Sequence, residues 1–194
     1  MRIKYNAPVV LTFTLLCALV MLLSEWVFPN LNQHWFMVPG RGSFHASKLI
    51  TIFTHVIGHN DWAHLISNFT LILLIGPMLE ESYGSYPLLI MMTITAFVTG
   101  ILIVLFFRNP LFGSSGIAFM MILLSSFTNF SKGEIPLTFI LVLILYMGME
   151  FLDSFKPDNI SQFAHIVGGL CGSFFGFVQI GKNKITAGMP GRNK

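Results

Sequence analysis

The sequence predicts an all-α membrane protein built as a bundle of six transmembrane helices. Of its 194 residues, 54% are hydrophobic and only 10% are charged, whereas a soluble domain usually carries about 25% charged residues. Apolar runs close to the ~20 residues that a membrane helix needs recur along the chain between short polar breaks. We therefore expect a single membrane domain over residues 1–194. The net charge of +3 arises from basic residues near the chain ends, so no nucleic-acid partner is expected.

The first predicted span covers residues 8–23 and follows Arg2 and Lys4. Basic residues before a first span favour a cytoplasmic N-terminus. The segment 25–60 is too long for a simple connection, and it mixes tryptophan and phenylalanine with proline and glycine. Such a composition is typical of a loop lying in the membrane interface. We expect this interfacial loop between the first and second helices.

Charged or turn residues separate the remaining predicted spans. Asn60 or Asp61 can cap the second span, and Glu80 ends it. Basic residues are more numerous in the segments expected on the same side of the membrane as the N-terminus, which predicts that both termini lie in the cytoplasm. We expect a multi-pass protein of the plasma membrane. The predicted spans are 61–79, 85–107, 115–130, 136–151 and 161–180, and a polar cytoplasmic tail occupies 181–194.

Ionisable and polar residues within membrane segments are costly and are functional candidates by default. The informative ones here are His64 and Asn68 in the second span, Ser115 in the fourth and His165 in the sixth. All three spans are expected to run from outside to inside, and at ~1.5 Å per residue each polar group lies within ~10 Å of its helix start. The short fourth span must begin below the membrane surface. These residues are therefore expected to meet in the outer half of the membrane.

These residue types point to acyl transfer. A serine hydroxyl becomes a nucleophile when a base takes its proton, and histidine titrates in the right range. Ser115 is the candidate nucleophile and His165 the candidate base, without an acid to orient it. His64 and Asn68 can donate hydrogen bonds to the oxyanion of a tetrahedral intermediate.

Helix phase supports this pairing. A stripe of small residues allows two membrane helices to approach closely, and the stripe on the sixth span is expected to carry His165 towards the fourth helix. Phe119, one turn below Ser115, is expected to pack against the imidazole. The predicted stripe consists of His165, Gly169, Gly172 and Gly176.

Three segments resemble the signatures of the rhomboid family of intramembrane serine proteases. They are 53–68 (FTHVIGHNDWAHLISN), 113–116 (GSSG) and 164–169 (AHIVGG). The resemblance extends from the first span to about Ile180. It implies a six-helix rhomboid-like bundle that cleaves membrane-anchored protein substrates within or near their transmembrane segments. Separately, no cofactor and no metal ion are expected.

The resemblance also implies roles for individual residues. Ser115 would be the nucleophile and His165 the base of a catalytic dyad. Oxyanion stabilisation and support of the site would come from His64, Asn68, His59 and Gly113. Two departures stand out: Phe119 occupies a position where many rhomboids have tyrosine, and Trp35–Phe36 replaces a common Trp–Arg pair.

Other interpretations are less favoured. Ser114 or Ser115, taken alone, would be interpreted as a helix cap. His55, His59 and His64 could be interpreted as zinc ligands, but no H-E-x-x-H motif and no carboxylate ligand accompany them. An inactive rhomboid-like protein that binds transmembrane segments without cleaving them is the main alternative. A transporter is weaker, because neither an inverted repeat nor a charged midplane site is seen.

Overall fold

The computed structural model describes residues 3–128, 137–142, 144–145 and 160–187. Within these ranges the chain is helical, and its extended pairing is limited to an isolated antiparallel bridge between Val38 and Leu111. A short 3-10 turn covers Ala46–Lys48. The α-helices are α1 (Pro8–Trp26), α2 (Leu31–Trp35), α3 (Thr51–Thr54), α4 (Trp62–Tyr83), α5 (Ser85–Phe106), α6 (Ser115–Ser125), α7 (Leu137–Val142) and α8 (Ile160–Ala187).

Four of the described helices are long and apolar enough to cross a membrane, namely α1, α4, α5 and the Ser161–Gln179 part of α8. Their outward faces carry large exposed apolar side chains such as Leu16, Leu74 and Leu170, as expected where lipid replaces water. The prediction of a helical membrane protein is confirmed. The predicted fifth span, 136–151, falls mostly outside the described residues, so the number of six spans stays a prediction.

Helix α6 lies at the centre of the bundle. Every residue from Gly116 to Leu124 is buried, and a helix that is apolar all round is expected in such a position. It has 11 residues, so at ~1.5 Å per residue it spans only ~16 Å. This is about half of the ~30 Å hydrocarbon layer, so its first residue, Ser115, cannot lie at one membrane surface while its last lies at the other.

Helix α6 ends at Ser125, within the predicted fourth span 115–130, whose last two residues lie outside the described part of the chain. The Ser125 hydroxyl donates to the Ile122 carbonyl at 2.7 Å, and the Thr128 hydroxyl donates to the Ser125 carbonyl at 2.8 Å. Side-chain hydroxyls of this kind compete with the backbone ladder. At the other end of the chain, α8 continues through Gly181 to Ala187, past the predicted end of the sixth span at 180.

Helices α1 and α4 pack antiparallel, and Gly76 lies so close to Val10 that an added Cβ would be 2.8 Å from its side chain. Glu80 fastens the start of α1. Its two carboxylate oxygens accept the backbone N–H groups of Val9 and Val10, each at 3.0 Å, and Oε1 also accepts the Ser85 hydroxyl at 2.6 Å. The first N–H groups of a helix have no partner within the helix, so Glu80 supplies the missing hydrogen-bond acceptors from another span.

The long connection between α1 and α4 rests on the bundle. An added Cβ on Gly100 of α5 would lie 2.4 Å from the Ile52 carbonyl oxygen in α3. Val38 and Leu111 exchange two backbone hydrogen bonds of 3.0 Å, which join this connection to the loop before α6. Trp26 and Trp35 are exposed, as expected of side chains at a membrane interface. The connection therefore folds over the bundle end at which α6 begins.

Candidate active site

The two adjacent serines at the start of α6 occupy different environments. Ser114 is the N-cap of the helix and is 0% exposed, whereas Ser115 begins the helix and is partly exposed. The Ser114 hydroxyl lies 3.0 Å from His59 Nε2, and the Ser114 backbone N–H donates to the same nitrogen at 3.4 Å. Ser114 is thus enclosed by the protein, whereas Ser115 keeps part of its surface accessible.

His59 is held as a neutral imidazole. Its Nε2 accepts from the Ser114 N–H, so its proton lies on Nδ1, which donates to the Ile57 carbonyl at 3.1 Å. Burial lowers the pKa of His59 to about 4, and the neighbouring His64 lowers this pKa further, against smaller opposing effects of the Ile57 carbonyl and Asp61. The ring supports the start of α6 and is closed off from solvent, being 1% exposed.

His55 supports the same region from the end of α3. Its Nδ1 lies 3.0 Å from the Ile52 carbonyl and 3.2 Å from the Thr51 carbonyl, and its own carbonyl accepts the Gly113 N–H at 2.9 Å. Burial lowers the pKa of His55 to about 4, although the bonds to Thr51 and Ile52 oppose that shift. His55 is therefore a neutral, buried residue that positions the loop leading to Ser115.

His64 lies in the first turn of α4. Asp61 caps this helix by accepting the His64 backbone N–H at 2.7 Å, so the predicted cap is confirmed and is Asp61, not Asn60. The His64 ring faces Gly113, whose φ is +128°, and a Cβ at Gly113 would lie 2.7 Å from His64 Cε1. Glycine is needed here both for its backbone conformation and for its size. The imidazole can therefore lie against the backbone that leads into Ser115.

Asn68 follows one turn later on α4. It is 5% exposed, and its Nδ2 makes no hydrogen bond to any residue that the structure describes. Ile72, on the same face, belongs to the apolar core that includes Ile117 and Ala118 of α6. A buried amide donor without a partner is costly, so the unused donor of Asn68 is a candidate for binding a reactant.

His165 reaches α6 from α8. Its imidazole stacks on the Phe119 ring, with centroids 4.2 Å apart and planes inclined by 5°, which confirms the predicted packing. Phe119 lies one helical turn below Ser115. The imidazole is thus next to the first turn of α6.

Glycines allow this approach of α8 to α6. An added Cβ on Gly168 would lie 2.0 Å from the Gly116 carbonyl oxygen, and one on Gly172 would lie 2.2 Å from the Met120 carbonyl oxygen. Both contacts advance in the same direction along the two helices, so the helices are parallel. Gly172 belongs to the predicted stripe and makes the second of these contacts, and Gly168, which makes the first, is the neighbour of Gly169 in that stripe.

A cavity of about 580 Å³ lies at the end of the bundle where α4, α6 and α8 begin. His64 forms part of its wall and so connects it to the other candidate residues. Its described lining consists of Asn60, Asp61, His64, Asn109, Pro110, Leu111, Phe112 and Ser161.

Comparison with known proteins agrees with this architecture. A model of the Rhomboid domain matches residues 46–182, which is well over half of the chain. The chain belongs to the rhomboid family. The chain is also 22% identical to Rhomboid protease GlpG from Haemophilus influenzae over 176 residues, which cover 89% of this chain and 91% of that protein. The family prediction is confirmed, and both matches support a protease-like function for this multi-pass membrane protein.

Several features of this rhomboid's site carry no sequence signal. Asn32 of α2 is 3% exposed and donates through Nδ2 to the His59 carbonyl at 2.9 Å. The bond between Ser114 and His59 likewise joins residues far apart in the chain, and no local motif predicts either contact. Within the described ranges, no three His, Cys, Asp or Glu residues cluster as metal ligands, and His55 and His59 bind protein carbonyls instead.

Proposed function

We propose that this rhomboid is an intramembrane serine endopeptidase in which Ser115 is the nucleophile and His165 the general base. The observation that supports this most is the flat stack of His165 on Phe119, one turn below Ser115, at 4.2 Å between centroids. The glycine contacts between α6 and α8 hold the two helices in this arrangement. The serine and the base therefore belong to adjacent turns of two helices in direct contact.

The rival pair, Ser114 with His59, has a hydrogen bond of 3.0 Å but is poorly suited to catalysis. Ser114 is 0% and His59 is 1% exposed, so a peptide bond cannot reach the hydroxyl. His59 also has a pKa lowered by burial to about 4, which makes it a weak base. We assign this pair the role of fixing the N-cap of α6.

The oxyanion would be bound by donors from α4 and from the start of α6. Asn68 has a buried Nδ2 without a bonding partner among the described residues, and His64 packs against Gly113 just before the two serines. The Ser115 backbone N–H can add a third donor. Such preorganised donors stabilise the charge that develops in the transition state.

The proposed reaction proceeds in two stages. Ser115 Oγ attacks the carbonyl carbon of the scissile peptide while its proton passes to an imidazole nitrogen of His165. The C–N bond breaks, the leaving amine takes that proton, and an ester to Ser115 remains. Water then attacks the ester with His165 again accepting the proton, which returns to Ser115 as the carboxylic acid product leaves.

The substrates that fit this site are proteins anchored in the same membrane. Because α6 spans only ~16 Å, Ser115 would lie below the membrane surface, where a transmembrane segment can present its end to the site. The proposal retains the six spans, the plasma-membrane location and the cytoplasmic termini expected from the sequence.

The decisive experiment compares the two serines. The purified protein in proteoliposomes is given a single-span reporter protein, and cleavage is measured for the unaltered chain, Ser115→Ala and Ser114→Ala. We expect cleavage to vanish in Ser115→Ala and to fall by less than ~10-fold in Ser114→Ala, which loses one hydrogen bond worth ~1 kcal/mol. A fluorophosphonate probe should label the unaltered chain and Ser114→Ala but not Ser115→Ala. The reverse result would make Ser114 the nucleophile.

The base and the oxyanion donor have separate tests. His165→Ala should be inactive, and retained cleavage would remove the dyad from the proposal. Asn68→Ala should lower kcat by ~10²-fold or more, as loss of one oxyanion donor does elsewhere, with little change in KM. If no Ser115-dependent cleavage occurs with any membrane reporter, although reporters bind, the inactive rhomboid-like alternative would be preferred.

A further inference from the structure

The cavity beside His64 is lined by both polar and apolar residues. The polar ones include Asn60, Asp61, Asn109 and Ser161, and the apolar ones are Pro110, Leu111 and Phe112. Its volume of about 580 Å³ falls within the ~300–1,000 Å³ typical of ligand pockets. Such a space can hold a long side chain with an apolar stem and a polar end.

Asp61 supplies the formal charge of this cavity within its described lining. One of its oxygens, Oδ1, accepts the His64 backbone N–H at 2.7 Å. A carboxylate offers about four acceptor positions, so this bond leaves capacity for a cation. The side chain is exposed at the cavity wall, where a ligand can reach it.

The cavity is also connected to the proposed chemistry. His64 lines the cavity, and the same imidazole packs against Gly113, two residues before Ser115. A substrate whose scissile carbonyl approached Ser115 would therefore place a neighbouring side chain in the cavity.

We propose that this cavity is a substrate subsite that selects lysine or arginine close to the scissile bond. The aliphatic stem would lie along Leu111 and Phe112, as long basic side chains do on apolar surfaces, and the cationic end would meet Asp61, with the Asn60 and Ser161 side chains as additional acceptors. This inference rests on the proposed function, and it adds the substrate class: membrane proteins with a basic residue at the boundary of the transmembrane segment.

The first test uses matched reporters. Single-span reporters that differ only in having Lys, Gln or Glu at each position near the cleavage site are given to the unaltered protein. At one position, kcat/KM for Lys should exceed that for Gln by about fivefold, as a partly exposed ion pair allows, and Glu should be the poorest. The preference should shrink at high ionic strength.

The second test changes the protein. Asp61→Asn keeps a favourable helix cap but removes the charge, so kcat/KM for the Lys reporter should become about equal to kcat/KM for the Gln reporter. Asp61→Lys should cleave the Glu reporter with a higher kcat/KM than the Lys reporter. Glu25→Gln is the matched control: Glu25 accepts a hydrogen bond from Trp62 Nε1 at 2.6 Å, so it lies at the same end of α4 without lining the cavity. The Glu25→Gln variant should prefer the Lys reporter as strongly as the unaltered protein does.

A binding measurement separates this inference from the proposed function. Ser115→Ala in proteoliposomes is titrated with fluorescent transmembrane peptides that carry Lys or Glu at the selected position, with and without Asp61→Asn. Tighter binding of the Lys peptide that disappears with Asp61→Asn supports the subsite. Equal binding and equal cleavage of Lys, Gln and Glu would overturn the subsite while leaving Ser115 as the nucleophile, whereas a Lys preference in binding without any cleavage would overturn the protease and retain the subsite.

Discussion

Gly113, two residues before α6, contacts the His64 ring of α4. Its φ of +128° is a conformation that side chains rarely adopt, and its Cα faces the His64 ring. Its backbone N–H is also held by the His55 carbonyl at 2.9 Å. A substituent here must therefore displace His64, because the backbone is held in place on its other side.

Gly113→Ala should consequently impair both stability and activity. We expect the free energy of unfolding to fall by ~1–3 kcal/mol from backbone strain, and reporter cleavage to fall much more than this loss of folded protein explains. Gly42→Ala is the matched control, because Gly42 also has a positive φ, +90°, but nothing lies within 4 Å of an added Cβ. Equal activity of the two variants, measured at equal amounts of folded protein, would show that the His64 contact is unimportant.

At the scale of elements, α6 and α8 form the closest helix pair around the candidate site. Their backbones approach at Gly116 with Gly168 and at Met120 with Gly172. In a membrane such packing replaces the hydrophobic effect as a source of helix association. The position of His165 therefore depends on residues that do no chemistry.

Gly168→Ala tests this dependence. Its Cβ would lie 2.0 Å from the Gly116 carbonyl oxygen, and since backbone atoms cannot simply rotate away, the helices must separate. We expect a loss of ~3 kcal/mol or more in the free energy of unfolding, above the usual ~1–3 kcal/mol of an overpacked site, together with loss of cleavage. Unfolding in mixed micelles gives the first value and the reporter assay the second.

The control for this substitution lies on the same helix. The Leu170 side chain is 63% exposed, so Leu170→Ala should change neither quantity by more than a small amount. If Gly168→Ala is as stable and active as Leu170→Ala, the close packing of α6 and α8 is not what holds His165 in place.

At the scale of the whole molecule, the buried histidines link stability to pH. Burial lowers the pKa of both His55 and His59 from an ordinary value of 6.5 to about 4. Between these two values the unfolded chain binds protons that the folded chain does not. Their stabilising contribution is therefore fully present above pH 6.5 and is lost progressively as the pH falls towards 4.

We expect the free energy of unfolding to decrease from pH 7 to pH 4.5, by up to ~1.4 kcal/mol per pH unit for each histidine. Unfolding in mixed micelles at a series of pH values measures this slope. His59→Gln, which keeps a side chain capable of hydrogen bonding to Ser114, should reduce the slope. An unchanged slope in this variant would mean that other groups cause the acid sensitivity.

Features with local causes could be predicted from the sequence. The start of α4 follows from an acidic cap at Asp61, and the turn before α5 follows from Gly84, which has a φ of +89°. The packing of Phe119 against His165 followed from helix phase, whereas the roles that the rhomboid signatures imply for Ser115 and His165 stay a prediction.

Other features depend on residues that are distant in the chain. The bond of Ser114 to His59, the contact of Asn32 with the His59 carbonyl and the attachment of Glu80 to α1 arise from tertiary packing, which no local pattern encodes. The close approach of Gly168 to the Gly116 carbonyl likewise joins two helices that are distant in the chain.

Glu80 has a consequence for the order of assembly. The Rhomboid match begins at residue 46, so α1 lies outside it, yet the carboxylate of Glu80 completes the first turn of α1 through the N–H groups of Val9 and Val10. During synthesis α1 emerges well before Glu80, so it can enter the membrane early but can dock only after α4 has been made. A chain that started at residue 46 would keep the entire family match, but its buried Glu80 carboxylate would lose these two N–H donors.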